Sequence, residues 1–204
     1  MTLLPPLSLY VHLPWCIKKC PYCDYNAHAL DGHLPEEEYF TQLQQDLAQE
    51  LDAVAGRPIH SIFFGGGTPS IMSVEFYHRL MSFLQQHLTF KPNLEITMEA
   101  NPGASEQSKF EGFYAAGINR LSIGVQSFHD PHLEILGRQH NSHMAKQAIQ
   151  AAKRAGFSNF NIDLMHALPQ QTEAQALADL QQAVELGATH ISWYELTIEP
   201  NTVF

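Results

Sequence analysis

Hydrophobic residues along this chain fall into two alternating rhythms. Short apolar, β-rich runs recur at 8–13 (SLYVHL), 60–64 (HSIFF), 94–98 (LEITM), 120–126 (RLSIGVQ), 159–164 (NFNIDL) and 189–196 (THISWYEL). Between them, apolar side chains return every three or four positions, as at Tyr39, Leu43, Leu47 and Leu51, and again at Phe76, Leu80, Phe83 and Leu84. That spacing is one face of a helix. Gly56, Gly117, Gly156 and Gly187 stand where helices should stop before a strand, twice as a repeated Ala-Gly pair. The pattern predicts repeated βα units and a six-stranded parallel sheet, either barrel-like or doubly wound. We find no linker and no shift in composition, so the 204 residues read as one domain. A chain of that size buries about 70% of its unfolded surface in a single core.

The residues at the end of each run are as informative as the runs themselves. The first run leads into Cys16, the second into Gly65-Gly66-Gly67-Thr68-Pro69, and the third ends at Glu99-Ala100-Asn101-Pro102-Gly103. The fourth ends at Gln126-Ser127, the fifth carries Asp163, and the sixth ends at Glu195. Parallel sheets place ligand sites at the carboxyl ends of their strands. Here each of those ends supplies polar or glycine-rich groups, so the site belongs there.

Composition narrows the chemistry. Apolar residues make up 45% and charged residues 16%, ordinary for a globular chain. Eleven Lys and Arg against 21 Asp and Glu give a net charge of −10, which argues against nucleic acid or a membrane surface as partner. No run reaches the 18 or so apolar residues of a spanning helix, and the first residues do not read as a signal peptide. All three cysteines, Cys16, Cys20 and Cys23, lie in one C-x3-C-x2-C cluster. An odd number cannot pair off as disulfides, and clustered free thiols fit a reducing cytoplasm. Structural zinc usually closes with four Cys or His ligands, for which His12 and His28 are candidates. An iron–sulfur cluster on three thiolates would instead leave one iron open, and the spacing favours that reading.

The cysteine motif, with Tyr22 just before its last member, resembles the signature of the radical S-adenosylmethionine (SAM) superfamily. The words Leu9-Tyr-Val-His-Leu-Pro-Trp-Cys16, Phe64-Gly-Gly-Gly-Thr-Pro69, Met98-Glu-Ala-Asn-Pro102, Gly124-Val-Gln-Ser127, Leu136-Gly-Arg138 and Asp163-Leu-Met resemble one branch of it. That branch is the HemW-type heme chaperones, related to oxygen-independent coproporphyrinogen III oxidases of porphyrin biosynthesis. The resemblance implies a partial (β/α)6 barrel holding a [4Fe-4S] cluster on Cys16, Cys20 and Cys23, with SAM chelating the fourth iron. It places Tyr10, Tyr22, Gly66, Gly67, Thr68, Glu99, Gln126, Arg138 and Asp163 around SAM. It also implies heme as cargo, heme-acceptor proteins and an electron donor as partners, and it leaves a homodimer open.

The residues themselves agree in kind. Glycines 65–67 let backbone approach a small ligand closely, and the missing Gly-Lys-Ser/Thr rules out a phosphate-binding P-loop. Glu99 can accept from an ammonium or a ribose, or is a solvated strand-end carboxylate. Gln126 and Asp163 are polar within apolar runs, so they contact ligand or form a core network. Arg138 can clamp a carboxylate or cap the preceding helix. The twelve histidines, among them His33, His78, His87, His132, His140 and His143, read mostly as surface or capping residues, with His12 and His166 nearest the site. Tyr25 stands where the oxidase branch carries a fourth cysteine, which argues for the chaperone branch and against coproporphyrinogen oxidation. The family continues past the last strand, so we expect this chain to be part of a longer protein whose C-terminal domain it lacks.

Overall fold

The structure is a computed structural model and describes residues 4–204. The first strand, β1 (Leu7–Leu13), runs into a small parallel pair, β2 (Trp15–Cys16) with β3 (His28–Ala29), which braces the ends of the cysteine loop. The chain then adds β4 (Ile59–Gly66), β5 (Phe90–Ala100), β6 (Arg120–Gln126), β7 (Phe160–His166) and β8 (His190–Glu195). The main sheet has six strands in the order β1-β4-β5-β6-β7-β8, and every neighbouring pair is parallel. A doubly wound sheet reverses its strand order at a switch point. Here each new strand adds to the same edge, which is barrel progression. Among the described residues β1 and β8 do not pair, so the barrel is partial.

Among the described residues seven α-helices return the chain: α1 (Glu36–Val54), α2 (Val74–His87), α3 (Ala104–Gln107), α4 (Phe110–Ala115), α5 (Asp130–Ile135), α6 (Ser142–Arg154) and α7 (Glu173–Glu185). Their starts follow ordinary capping chemistry. Ser73 and Asn141 accept the first free N–H groups of α2 and α6, and Thr172 with Gln175 forms a reciprocal capping box on α7. The four glycines expected to stop helices all sit at positive φ. Strand bounds differ from expectation mainly at β5, which runs eleven residues because Asn93 at φ 59° lets it continue past Pro92.

The strands carry a continuous apolar stripe on one side, and the other side is mainly polar, with Phe63 and Met165 its apolar members. Val11, Leu13, Ile62, Phe64, Ile96, Met98, Leu121, Ile123, Ile162 and Leu164 are buried against the helices. The alternate positions, including Ser61, Thr97, Glu99, Ser122, Asn161, Asp163 and Ser192, face the concave side. Helices cover just the convex face, so the apolar stripe goes there and the lumen is left to polar groups. On the convex side Phe40, Phe76, Tyr77, Phe64 and Phe113 pack edge to face in one aromatic column. Such pairs add about 1 kcal/mol each beyond their buried area.

That column carries the floor of the site. The buried Tyr77 hydroxyl donates to the Pro69 carbonyl at 2.8 Å. Beside it, the ammonium of Lys109 donates to the carbonyls of Ser70, Ile71 and Met72 at 2.6, 2.9 and 3.0 Å. One cation thus caps the short 3-10 turn Pro69–Ile71 after the glycine loop. Lys109→Met should leave those carbonyls without their donor and cost about 2 to 3 kcal/mol. Thermal unfolding checks this; an unchanged midpoint would show that water replaces the ammonium.

Candidate functional site

The cysteine loop leaves β1 and is held at several points. Leu30 N–H donates to the Cys16 carbonyl at 2.8 Å, and Cys23 N–H turns back onto the Cys20 carbonyl at 3.1 Å. Lys19 reaches across the loop to the Tyr25 carbonyl at 3.0 Å. Val203 N–H, far along the chain, donates to the Pro21 carbonyl at 2.9 Å. The three thiols are free, Cys16 buried and the other two half-buried. Burial pushes Cys16 and Cys23 up, toward the neutral thiol, and nearby sulfur raises both further. Binding a metal or cluster here would require these thiols to give up their protons.

The glycine loop lies directly against them. Gly67 N–H donates to the Leu13 carbonyl at 2.7 Å and Thr68 N–H to the Trp15 carbonyl at 2.8 Å. A Cβ on Gly67 would stand 2.5 Å from the Trp15 oxygen and 3.0 Å from Cys16 Sγ. Gly66 sits at φ 118°, and its N–H donates to the Glu99 carboxylate at 3.1 Å. No side chain fits between this loop and the cysteines, which is why glycines occupy it.

A cavity of about 610 Å³ opens over these elements. Cys16, Cys20, Cys23, Tyr22, Gly66, Gly67, Thr68, Glu99, Gln126, Arg138 and Asp163 all line it. Tyr10 is the one predicted site residue outside its lining. It is 56% exposed, stacks near Phe63, and shares a 3.0 Å hydrogen bond with the His12 ring. Of the two histidines placed near the site, His12 is engaged with the Asn26 carbonyl at 2.8 Å and His166 lies against Trp193.

The carboxylates differ in environment. Burial raises Glu99 to about 7, opposed by the Gly66 N–H and assisted by the charge of Asp163. Asp163 is also raised by burial, but Ser122 at 3.0 Å and Asn161 at 2.8 Å donate to its two oxygens. Glu99 is therefore the less satisfied of the pair and the better acceptor for a cationic ligand. Gln126, 6% exposed and at φ 68°, takes the Tyr194 hydroxyl on its carbonyl oxygen at 2.7 Å, which turns its NH2 end toward Gly124.

Arg138 does not cap a helix. Its Nη2 donates to Asn101 Oδ1 at 2.6 Å and to the Gly124 carbonyl at 2.7 Å, and Nη1 reaches Cys20 Sγ at 3.5 Å. Two histidines read as surface or capping residues are in fact buried, His132 at 3% and His140 at 6% exposure. His140 lines the cavity, donates Nε2–H to the Val125 carbonyl at 3.0 Å, and is pushed down to about 4 by burial and by Arg138. A lone histidine in a polar stretch carries no local mark of burial, so no pattern in the chain pointed to it. Asn101, named at its strand end but given no role, and Tyr194, which no pattern singled out, also line the cavity, and Asn161 supports Asp163. Asn101 directly follows Glu99-Ala100 at a strand end, and that position was a usable signal.

The donors fit an iron–sulfur cluster. Three thiols of one short loop face a cavity whose wall holds a buried guanidinium, a counter-charge for thiolates. Among the described residues no three His, Cys, Asp or Glu side chains are arranged to hold a single metal ion. A cluster asks for something else, since each thiolate takes a different iron.

Comparison with known proteins gives the frame for this geometry. The chain is 53% identical over its full length to "Heme chaperone HemW" of Haemophilus influenzae and 50% identical to that of Escherichia coli K12. It spans about half of those relatives, 54% of each. The coproporphyrinogen III oxidase structure (HemN) from Escherichia coli superposes with a TM-score of 0.87 at 31% identity, over 98% of this chain and 46% of that one. The sequence profile of the Radical SAM superfamily matches residues 10–183. With its parallel strands, three-cysteine loop and glycine cradle beneath one cavity, the chain belongs to the radical SAM superfamily.

Proposed function

We propose that this chain is the cluster- and SAM-binding core of a HemW-type heme chaperone. Cys16, Cys20 and Cys23 would hold a [4Fe-4S] cluster, and the cavity they line would take SAM. The bound cluster supplies an electron-transfer centre. The chain's own residues bind and orient the ligand: Glu99 accepts from its amino or ribose donors, Gly66 and Gly67 allow its backbone-close approach, and Gln126, Asp163 and Arg138 line its polar contacts. Tyr22 lines the same cavity, and Tyr10 lies outside its lining. Heme is the cargo, taken by the longer protein and passed to acceptor proteins in the cytoplasm, with an electron donor for the cluster and self-association both compatible.

The observation that carries the chaperone reading is the identity of 53% along the whole chain to a relative that bears that name. The oxidase reading rests on a structure at 31% identity, and Tyr25 occupies the position where that branch has its extra cysteine. The test uses the longer protein, anaerobically reconstituted. Iron and sulfide in equal amounts, SAM binding, and heme transfer to an apo-acceptor without oxidation of coproporphyrinogen III support the proposal. Protoporphyrinogen formation would move it to the enzyme branch; zinc at the cysteines would overturn both.

A further inference from the structure

A line of hydrogen bonds crosses the site apart from the ligand-binding groups. Burial opposes ionisation of Cys16, and the Thr68 hydroxyl beside it works against that. The same hydroxyl oxygen accepts from Asn101 Nδ2 at 3.1 Å. The carbonyl end of Asn101 accepts from Arg138 Nη2 at 2.6 Å, and Arg138 Nη1 points to Cys20 Sγ at 3.5 Å. The result is a hydrogen-bonded arc from Thr68, beside Cys16, to the Cys20 sulfur, built from the ends of β4 and β5 and the loop after α5. Its Arg138 end presents a donor to sulfur, and its Thr68 end lies next to Cys16.

The arc is rigidly built. Thr68 is 4% exposed, and Asn101 N–H is itself tied to Ser70 Oγ at 3.3 Å. Gly124 supplies the room: a Cβ there would meet Arg138 Nη2 at 3.3 Å and Asn101 Oδ1 at 3.6 Å. Arg138 also keeps its Nε–H and one Nη1–H outside these bonds, so ligand contact remains open to it.

We propose that Thr68, Asn101 and Arg138 form a positioning arc that raises the reduction potential of the cluster held by Cys16, Cys20 and Cys23. This rests on the cluster reading and adds to it. The step concerned is uptake of one electron by the oxidised cluster from a one-electron reductant. The reduced cluster carries one more negative charge. N–H and O–H donors beside its sulfurs, with a guanidinium among them, stabilise that state relative to the oxidised one. Asn101 touches no cysteine; it acts by fixing the amide that orients both Thr68 and Arg138.

The test is a redox titration of the anaerobically reconstituted chain in the absence of SAM, followed by electron paramagnetic resonance of the reduced cluster. Omitting SAM separates this role from ligand binding. Arg138→Gln should shift the reduction equilibrium about tenfold toward the oxidised state, about 59 mV for one electron. Thr68→Val should shift it about threefold, and Arg138→Lys, which keeps the charge, should fall between wild type and Arg138→Gln. Asn101→Ala should shift the wild-type protein but add less to Arg138→Gln, because residues in one network do not act additively and only the Thr68 arm is left for it to orient. Unmoved potentials in iron-replete variants would overturn the arc's role. So would loss of iron by all four variants with the fold retained, because that would make the arc a scaffold for assembly. A wild-type chain that holds no [4Fe-4S] cluster overturns the underlying reading instead, and iron and sulfide analysis distinguishes the two results.

Discussion

Cys20→Ala is expected to reduce bound iron from about four per chain to less than about one, together with the loss of absorption near roughly 400 nm. The physical reason is the donor count. With only three sulfurs available, removing one leaves two irons liganded and two open, which is too few to keep the cluster against solvent and chelators. Cys20 is the right position for this test because it is half-buried and lies on a loop, whereas Cys16 is buried in the wall beneath the glycine cradle. Truncating a half-buried thiol should cost no more than about 1 kcal/mol of stability, so the variant stays folded. Circular dichroism with iron and sulfide analysis on the same sample separates lost cluster from lost fold. A folded Cys20→Ala protein with full iron would show that some other side chain completes the site.

Glu99→Gln is expected to act in opposite directions on ligand binding and on stability. Burial holds the Glu99 carboxyl at about 7, against an ordinary value of 4.5. Its ionised form is the stronger acceptor for an amino or hydroxyl donor of the ligand. SAM affinity in the wild type should therefore be level above about pH 7.5 and weaken as pH falls below about 6.5, approaching tenfold per unit. Glu99→Gln should bind about 10- to 100-fold more weakly at pH 8 and lose that pH dependence, since a charge-assisted hydrogen bond becomes a neutral one.

Stability runs the other way. The unfolded chain ionises Glu99 near 4.5 and the folded one near 7, so the wild type loses stability as pH rises between those values and stays penalised above them. The glutamine keeps an oxygen for the Gly66 N–H and carries no charge to desolvate. At pH 8 the ligand-free variant should be more stable by about 2 kcal/mol, discounted for partial exposure, with no difference below about pH 4.5. Titration calorimetry and thermal melts at matched pH values read the two effects. Equal pH dependence of binding in both proteins would remove Glu99 from the ligand's contacts. The pattern expected is that of a functional group held at a cost to the fold.

The six strands were legible in the sequence because each outward face must be apolar to pack on helices, and that requirement repeats along the chain. The cysteine loop and the Gly65-Gly66-Gly67 cradle were legible because no other residue types do their work at those points. Strand ends announced the site's location, since parallel strands all deliver their last residues to one rim. The choice between barrel and doubly wound sheet was a different matter. It depends on which edge each strand joins, and that order is a property of the assembled sheet.

Partnerships between polar side chains were equally silent. Arg138 could be read as a carboxylate clamp or a helix cap; its bonds to Cys20, Asn101 and Gly124 come from how β5, β6 and the cysteine loop meet. Asn101 and Thr68 are 33 residues apart and Tyr194 and Gln126 are 68 apart, distances over which local pattern carries no information. His140 is buried and neutral only because α5, the Arg138 loop and β6 close around it. Strand faces, the three sulfur donors and the glycine cradle were thus settled residue by residue, each imposed by local sterics or by a side chain's own chemistry. Which polar groups meet was settled only on folding, because hydrogen-bond partners and carboxyl environments come from elements brought together from distant parts of the chain.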